Sequence, residues 1–247
     1  MPQDEGLLAG VAAVIDEWCG LAVRRNGGAR RRTLSSKKTA ILLSEEVRSQ
    51  SMRKRGDVLT PMLARIESNW RSAGCRGYSS KTWVLRQCIA PTAEKKQEET
   101  LERVITEALG KRWSNQLATC SGLIKNRNEG RRSVDLVHDL GGGRYEFIEL
   151  KYKDGEGGRY GSDNPLHAAW EIVCYGLLYL LTRQRMACDA EKPVLSAEEV
   201  RLVVLAPAGY YRYKKGGDGD RRFELGWLET NLNESLASLG SAMGLKM

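Results

Sequence analysis

The chain is poor in the residues that build most zinc and disulfide sites. It contains two histidines and six cysteines among 247 residues, and no two cysteines have the CxxC spacing. Two histidines argue against a histidine-based zinc site, and scattered cysteines favour reduced thiols. No apolar run approaches the roughly 18 residues that a membrane span needs. The first ten residues, MPQDEGLLAG, are acidic before they are apolar, which is wrong for a secretory signal. We therefore expect a cytoplasmic protein without a membrane partner.

Acidic residues are missing from positions 24–44, where seven arginines and lysines accumulate around two glycines. The whole chain carries a net charge of +8 and a pI near 9.2, which favours polyanionic partners. Phosphate contact and a solvated linker both remain open for this segment. The residues in it that would bind nucleic acid are Arg30, Arg31, Arg32, Lys37 and Lys38.

The most informative stretch is a predicted hairpin of two apolar strands, at residues 133–139 and 145–152, joined by three glycines. A turn centred on Gly142 places residues seven before and seven after it opposite each other, which are Asp135 and Glu149. Opposed residues on an antiparallel pair lie roughly 4.5–5.5 Å apart at Cβ, so the two carboxylates would repel unless a cation joined them. Lys151 projects from the same strand face as Glu149, whereas Ile148 and Leu150 point to the other face.

Two carboxylates and a lysine on one face of an apolar sheet suit a divalent cation, because Mg²⁺ prefers one or two carboxylates. Asp135, thirteen residues, then Glu149-x-Lys151 resembles the PD-(D/E)xK nuclease superfamily, over roughly residues 92–207. The resemblance implies that Asp135, Glu149 and the Leu150 carbonyl hold Mg²⁺ or Mn²⁺, and that Lys151 positions or activates the attacking water. Val134 stands where the family signature has proline. The alternative is a surface hairpin with an ordinary salt bridge.

Two helices are expected to add polar groups to this site. The family commonly contributes a glutamate from the helix before the first active strand, and here Glu98 is the first choice and Glu102 the second. Both could also face water. RecB-like members carry Gln-x-x-x-Tyr on the following helix, where this chain has Glu171 and Tyr175. Glu171 would bind the metal through water or steer Lys151, and a polar seam on a core helix is the other reading. The resemblance makes Tyr175 a candidate for nucleic-acid contact.

The remaining chain predicts a mixed α/β protein. Periodicity and capping signals predict helices at 7–23, 38–51, 60–73, 92–109, 166–185 and 228–245, a strand at 200–206, and a second hairpin at 209–215 and 221–225. Thr60 is the expected cap of the third helix. Lys214 and Lys215 lie among tyrosines in the second hairpin, as at nucleic-acid surfaces or on a protected edge strand.

These patterns predict a basic helical region at residues 1–85 and a nuclease-like domain at 86–247. The expected fold is α/β, restriction-endonuclease-like, with a mixed central sheet flanked by helices. The expected activity is Mg²⁺-dependent hydrolysis of phosphodiester bonds, most simply in DNA. A catalytically silent nucleic-acid-binding module with the same fold is the main alternative, and a protein-interaction module is a third. The sequence leaves open DNA against RNA, endonuclease against exonuclease action, and a homodimer.

Overall fold

The computed structural model describes residues 6–21, 37–53, 55–73, 82–87, 97–120, 132–152, 164–185, 192–214 and 220–247. The helices are α1 Val11–Trp18, α2 Lys37–Ser44, α3 Glu46–Arg53, α4 Leu59–Ala73, α5 Gln97–Leu109, α6 Pro165–Arg185 and α7 Gly226–Ala242. The strands are β1 Trp113–Ala118, β2 Ser133–Gly141, β3 Arg144–Leu150, β4 Glu199–Leu205, β5 Arg212–Lys214 and β6 Asp220–Arg222. Two 3₁₀ helices cover Pro193–Ser196 and Ala208–Tyr211.

The central sheet has four strands in the order β1-β2-β3-β4. The pairs β1–β2 and β2–β3 are antiparallel, and β3–β4 is parallel because α6 connects them as a crossover. The prediction of a mixed α/β sheet flanked by helices is confirmed. Its strand β3 lies between β2 and β4.

The β2–β3 hairpin has the predicted register by an unexpected route. Gly141 pairs with Arg144, so the turn contains only Gly142 and Gly143, both with positive φ, as tight hairpin turns require. Continued alone, that register would set residue 135 opposite residue 150. A β-bulge between Asp139 and Gly141 shifts it by one residue, and Leu136 pairs with Ile148. One step further along, Asp135 and Glu149 are opposed.

The two faces of the sheet are covered by different helices. Leu101 and Ile105 of α5 pack on a small apolar cluster formed by Leu136, Ile148 and Leu150. Phe147 lies on the other face. Its ring is edge to face with Tyr179 of α6, with 5.2 Å between the ring centroids, and it stacks with Trp83 at a centroid distance of 6.1 Å. The side chains at 147 and 148 alternate between the two faces, so Glu149 lies on the α6 face.

The N-terminal helices share one buried apolar cluster with α6 and α7. The indole of Trp18 contacts the rings of Trp170 at 5.7 Å and Trp227 at 5.9 Å. Arg185 at the end of α6 forms a 2.5 Å ion pair with Glu67 of α4. The division of the chain at residue 85 stays a prediction. In the part of the chain that is described, no helix has the length and apolar character to cross a membrane.

The helix caps agree only in part with the capping signals of the sequence. Asp57, rather than Thr60, caps α4: its two carboxylate oxygens accept the main-chain N–H groups of Leu59 and Thr60 at 2.8 and 3.2 Å. Thr60 is inside the helix. Asn164 caps α6, and its side-chain oxygen accepts a hydrogen bond from the His167 N–H at 3.1 Å.

Strand β1 was not predicted from the sequence, because residues 111–130 received neither a helix nor a strand assignment. The predicted helix at 38–51 is two helices, α2 and α3, and the first predicted helix is shortened to α1.

Candidate functional site

Asp135 lies on β2 where that strand separates from β3. The main-chain N–H of Leu150 donates a 2.8 Å hydrogen bond to Oδ2 of Asp135, so the carboxylate reaches between the two strands. The Asp135 side chain therefore contacts the main chain of the Glu149–Lys151 segment, at the place that the hairpin register predicted.

Glu149, at the end of β3, is nearly enclosed, with 3% of its surface exposed. Its Oε1 accepts a 2.6 Å hydrogen bond from Nζ of Lys151. Its Oε2 is buried and has no hydrogen-bond partner among the described residues. A buried carboxylate oxygen without a donor is costly, which marks this atom as a position that a cation would stabilise.

Lys151 connects the strand carboxylate to helix α6. The ammonium lies 3.3 Å from Oε2 of Glu171, whose Oε1 accepts a 3.2 Å hydrogen bond from the Tyr175 hydroxyl. His167, one turn before Glu171, places Nδ1 3.7 Å from the same Oε2. Among the interpretations given for Glu171, these contacts favour the one in which it steers Lys151.

Tyr175 is 4% exposed and reaches the site through Glu171. Burial, and then the charges of Glu171 and Glu149, raise the pKa of its phenol well above the usual value. The hydroxyl therefore remains a hydrogen-bond donor at neutral pH.

Helix α5, on the face of the sheet opposite α6, brings two further carboxylates near Asp135. Glu98 is partly exposed, and its Oε1 accepts the Tyr152 N–H at 3.2 Å. Glu102 is 2% exposed, and its Oε2 accepts a 2.5 Å hydrogen bond from Nε2 of Gln116. Of the two glutamates, Glu102 is the more deeply buried and repels Asp135 more strongly.

Gln116 was not recognised from the sequence as part of the site. It opposes Asp135 across β1 and β2, because Asn115 pairs with Leu136 and Leu117 with Val134. Its φ is 53°, in the left-handed region that only glycine adopts without cost. The backbone at this strained residue turns the amide toward Glu102, and such outliers are concentrated at functional sites.

The carboxyl groups of the cluster are harder to ionise than ordinary carboxyl groups. Burial is the largest cause of the raised pKa of Asp135, and the neighbouring Glu102 adds to it. For Glu149, burial and then Asp135 and Glu171 raise the pKa, which the nearby Lys151 only partly offsets. Burial raises the pKa of Glu102 to about 7, against the Gln116 hydrogen bond that lowers it. The site holds more carboxyl groups than its one lysine could compensate if all of them were ionised.

The donor set fits a hard divalent cation, although the side chains do not already form a cage. Across the described ranges, no three His, Cys, Asp or Glu side chains lie close enough together to hold one ion as they stand. Lys151 occupies one oxygen of Glu149, and the Leu150 N–H occupies one oxygen of Asp135. The unpartnered Oε2 of Glu149 and the raised pKa values of the buried carboxyl groups fit a bound cation, which would supply positive charge there.

The other predicted nucleic-acid residues are only partly covered by the structure. Arg30, Arg31, Arg32 and Lys215 lie outside the described residues. Lys37 and Lys38 begin α2 and Lys214 ends β5, with their side chains outside the description. Nucleic-acid contact by these seven residues stays a prediction.

Comparison of the chain with protein-family models, with curated proteins and with solved structures finds no match.

Proposed function

We propose that the chain is a Mg²⁺-dependent nuclease that hydrolyses phosphodiester bonds, with DNA as the favoured substrate and Mn²⁺ as an alternative metal. The observation that carries the proposal is the buried group formed by Asp135, Glu149 and Lys151. Its two carboxylates are opposed across the hairpin, and one oxygen, Oε2 of Glu149, has no partner in the described chain. An ordinary surface salt bridge would expose this carboxylate to water, whereas Glu149 is enclosed.

The architecture supports the same proposal at a coarser level. Helix α5, three antiparallel strands, helix α6 and a parallel strand follow each other in the chain, and helices cover both faces of the sheet. A restriction-endonuclease-like fold also has a mixed sheet flanked by helices. The residues that resemble the nuclease superfamily lie in the β2–β3 segment. We assign that fold as part of the proposal.

The roles of the residues follow from their contacts. Asp135, Glu149 and the Leu150 carbonyl would hold the metal, which when bound lowers the pKa of a water molecule and offsets charge on the phosphate. Lys151 donates hydrogen bonds, so it orients the attacking water and stabilises negative charge as it develops. Glu171, oriented by the Tyr175 hydroxyl, fixes the position of the Lys151 ammonium. Glu102, held by Gln116, is the fourth carboxylate available to the site.

A plasmid-cleavage assay tests this assignment. Supercoiled DNA is incubated with wild type, Asp135→Asn and Lys151→Ala, with Mg²⁺, with Mn²⁺ and with EDTA. Glu146→Gln is the matched control, because Glu146 is on the same strand but on the other face, paired with Nδ1 of His138 at 3.0 Å. We expect metal-dependent cleavage by wild type and Glu146→Gln, and a strong decrease in the two site variants.

Two outcomes would contradict the proposal. Equal cleavage by Asp135→Asn, Lys151→Ala and wild type would place the active site elsewhere or attribute the activity to a contaminant. Binding of DNA by wild type without cleavage in either metal would favour the silent binding module.

A further inference from the structure

A second polar cavity lies beside β1, on the side of that strand away from β3. Its volume is about 280 Å³, and the charged residues that line it are Arg86, Lys111, Arg112 and Asp139. Arg86, Lys111 and Arg112 are exposed. Ser114 and Val137 form part of its wall, so the cavity is built on the sheet itself.

The segment that carries Arg86 is fixed to the sheet edge. Residues 82–87 run antiparallel to β1, with the Trp83 N–H donating to the Ala118 carbonyl at 2.9 Å and the Asn115 N–H to the Arg86 carbonyl at 3.1 Å. The side-chain amide of Gln87 donates to the carbonyls of Gly110 and Trp113 at 3.1 and 3.0 Å. These bonds hold the wall of the cavity in place, and Nη2 of Arg86 also donates to the Gln116 carbonyl at 3.3 Å.

The opposite wall is held as firmly. The Asp139 N–H donates to the Arg112 carbonyl at 2.8 Å, which fixes Arg112 at the start of β1. Oδ1 of Asp139 accepts the Gly141 N–H at 2.8 Å, so one of its oxygens is occupied by the turn.

The three cations have no carboxylate partner among the residues that the structure describes. Two arginines elsewhere have such partners: Arg201 pairs with Glu199 at 2.7 Å and Arg71 with Glu67 at 3.0 Å. Three cations against one partly satisfied carboxylate give the cavity an excess of positive charge. Guanidinium groups present paired N–H donors that match phosphate oxygens. The cavity therefore fits an anion of that shape.

The cavity is aligned with the candidate metal site along β2. The side chains of Asp135, Val137 and Asp139 lie on the same side of β2. Four residues of an antiparallel strand span about 13 Å. Successive phosphates of one B-form strand advance about 3.4 Å along the helix axis and also rotate around it, so a few nucleotides cover this distance. A nucleic-acid strand with one phosphate at Asp135 and Glu149 would pass this cavity.

We propose that the Arg86, Lys111 and Arg112 cavity binds a backbone phosphate of the nucleic-acid substrate, a few nucleotides from the bond at the candidate metal site. This proposal rests on the proposed function for its ligand. Phosphate contacts of this kind set the position and orientation of a protein on the strand. The cavity therefore determines how the strand is seated along β2.

The test is a salt titration of binding, carried out in EDTA so that it does not require cleavage. Fluorescence anisotropy of a labelled duplex oligonucleotide is measured for wild type and for the double variant Arg86→Gln and Arg112→Gln. The slope of log K against log salt should be shallower by about one in the double variant, because the proposal assigns one neutralised phosphate to this cavity. Arg86→Lys with Arg112→Lys keeps the charge and should restore most of the slope. Arg71→Gln with Arg201→Gln, which removes paired arginines, should leave it unchanged.

The outcomes separate the cavity from the proposed hydrolysis. An unchanged slope in the Arg86→Gln and Arg112→Gln variant, with a wild-type melting temperature, would overturn the phosphate site even if the wild type cleaves DNA. A shallower slope in a protein that never cleaves would support the cavity and overturn the nuclease. Inorganic phosphate that competes as strongly as the oligonucleotide, at matched ionic strength, would assign the cavity to a small anion and overturn its role in strand binding.

Discussion

The ammonium nitrogen of Lys151 lies 2.6 Å from Oε1 of Glu149, while Oε2 of the same carboxylate is buried without a partner in the described chain. One end of Glu149 is therefore compensated and the other is not. Lysine and carboxylate substitutions here should have opposite effects on metal binding, because the lysine competes with a cation for Glu149 whereas the carboxylates attract it.

Replacement of Lys151 separates metal binding from turnover. Lys151→Ala leaves Asp135 and Glu149 in place, so Mn²⁺ affinity measured by calorimetry should be retained or increase. Cleavage should fall by about 10²-fold or more, the contribution of a positioned donor that stabilises charge developing in the transition state. Lys246→Ala, which removes an exposed lysine paired with Glu199, should change neither quantity. Loss of metal binding in Lys151→Ala would mean that the lysine only maintains the structure of the hairpin.

The buried carboxyls predict that the protein loses stability as the pH rises when metal is absent. Glu102 has an ordinary pKa of 4.5 that burial raises to about 7 in the fold. Between these values the folded state keeps a proton that the unfolded state releases, so the free energy of unfolding falls with rising pH. At about 1.4 kcal/mol for each pH unit, the decrease from this group is about 3 kcal/mol and is complete near pH 7. Asp135 and Glu149 act in the same direction.

Urea unfolding in EDTA between pH 5 and pH 8 measures this effect. Glu102→Gln should flatten the dependence between pH 5 and 7, whereas Glu67→Gln should not. The pKa of Glu67 is lowered by Arg71, so its contribution disappears only at acid pH. Mg²⁺ should restore more stability at pH 8 than at pH 5.5, because it takes the place of the missing protons. A stability that rises with pH in EDTA would contradict the buried, raised carboxyls.

The central hairpin could be predicted because its residues determine it locally. Alternation separated the face of Glu149 and Lys151 from that of Ile148 and Leu150, and three glycines identified the turn. The position of Asp135 against Glu149 was also right, although a two-residue turn and a bulge produce it together. A bulge leaves no clear pattern in the residues themselves, so the correct register was reached with the wrong turn.

The missed features depend on tertiary contacts. The sequence of β1, WSNQLA, has no clear alternation, and nothing in it signals that Gln116 adopts a left-handed conformation beside Glu102. The α4 cap was missed because both Asp57 and Thr60 satisfy the capping pattern, and only the coordinates show which one accepts the hydrogen bonds.

The strain at Gln116 predicts a reversal of an ordinary preference. In a normal strand, glycine is less stable than alanine by roughly 0.5–1 kcal/mol. At position 116 both substitutions remove the amide that binds Glu102, but only alanine keeps a side chain at positive φ. Gln116→Gly should therefore be more stable than Gln116→Ala by about 1 kcal/mol in chemical unfolding. The same pair of substitutions at Ser114, on the same strand, should show the usual order. Alanine equal to glycine at 116 would mean that the strand relaxes out of the strained conformation.

The replacement Asp135→Asn distinguishes an active enzyme from a silent relative. Asparagine keeps the shape of the side chain and can still accept the Leu150 N–H, but it removes one anion from a crowded, buried site. Without metal, the free energy of unfolding should stay level or rise, because like charges opposed on neighbouring strands are destabilising. Mn²⁺ affinity should fall at least tenfold, and cleavage with it.

The control for Asp135→Asn is the same substitution at Asp139, four residues further along β2, where the side chain accepts the Gly141 N–H. That variant should keep wild-type metal affinity. Glu149→Gln should behave like Asp135→Asn, since it removes the other opposed carboxylate. If Asp135→Asn instead lowers stability in EDTA and leaves Mn²⁺ affinity unchanged, the aspartate serves only to bridge β2 and β3, and the metal site assigned to this hairpin is wrong.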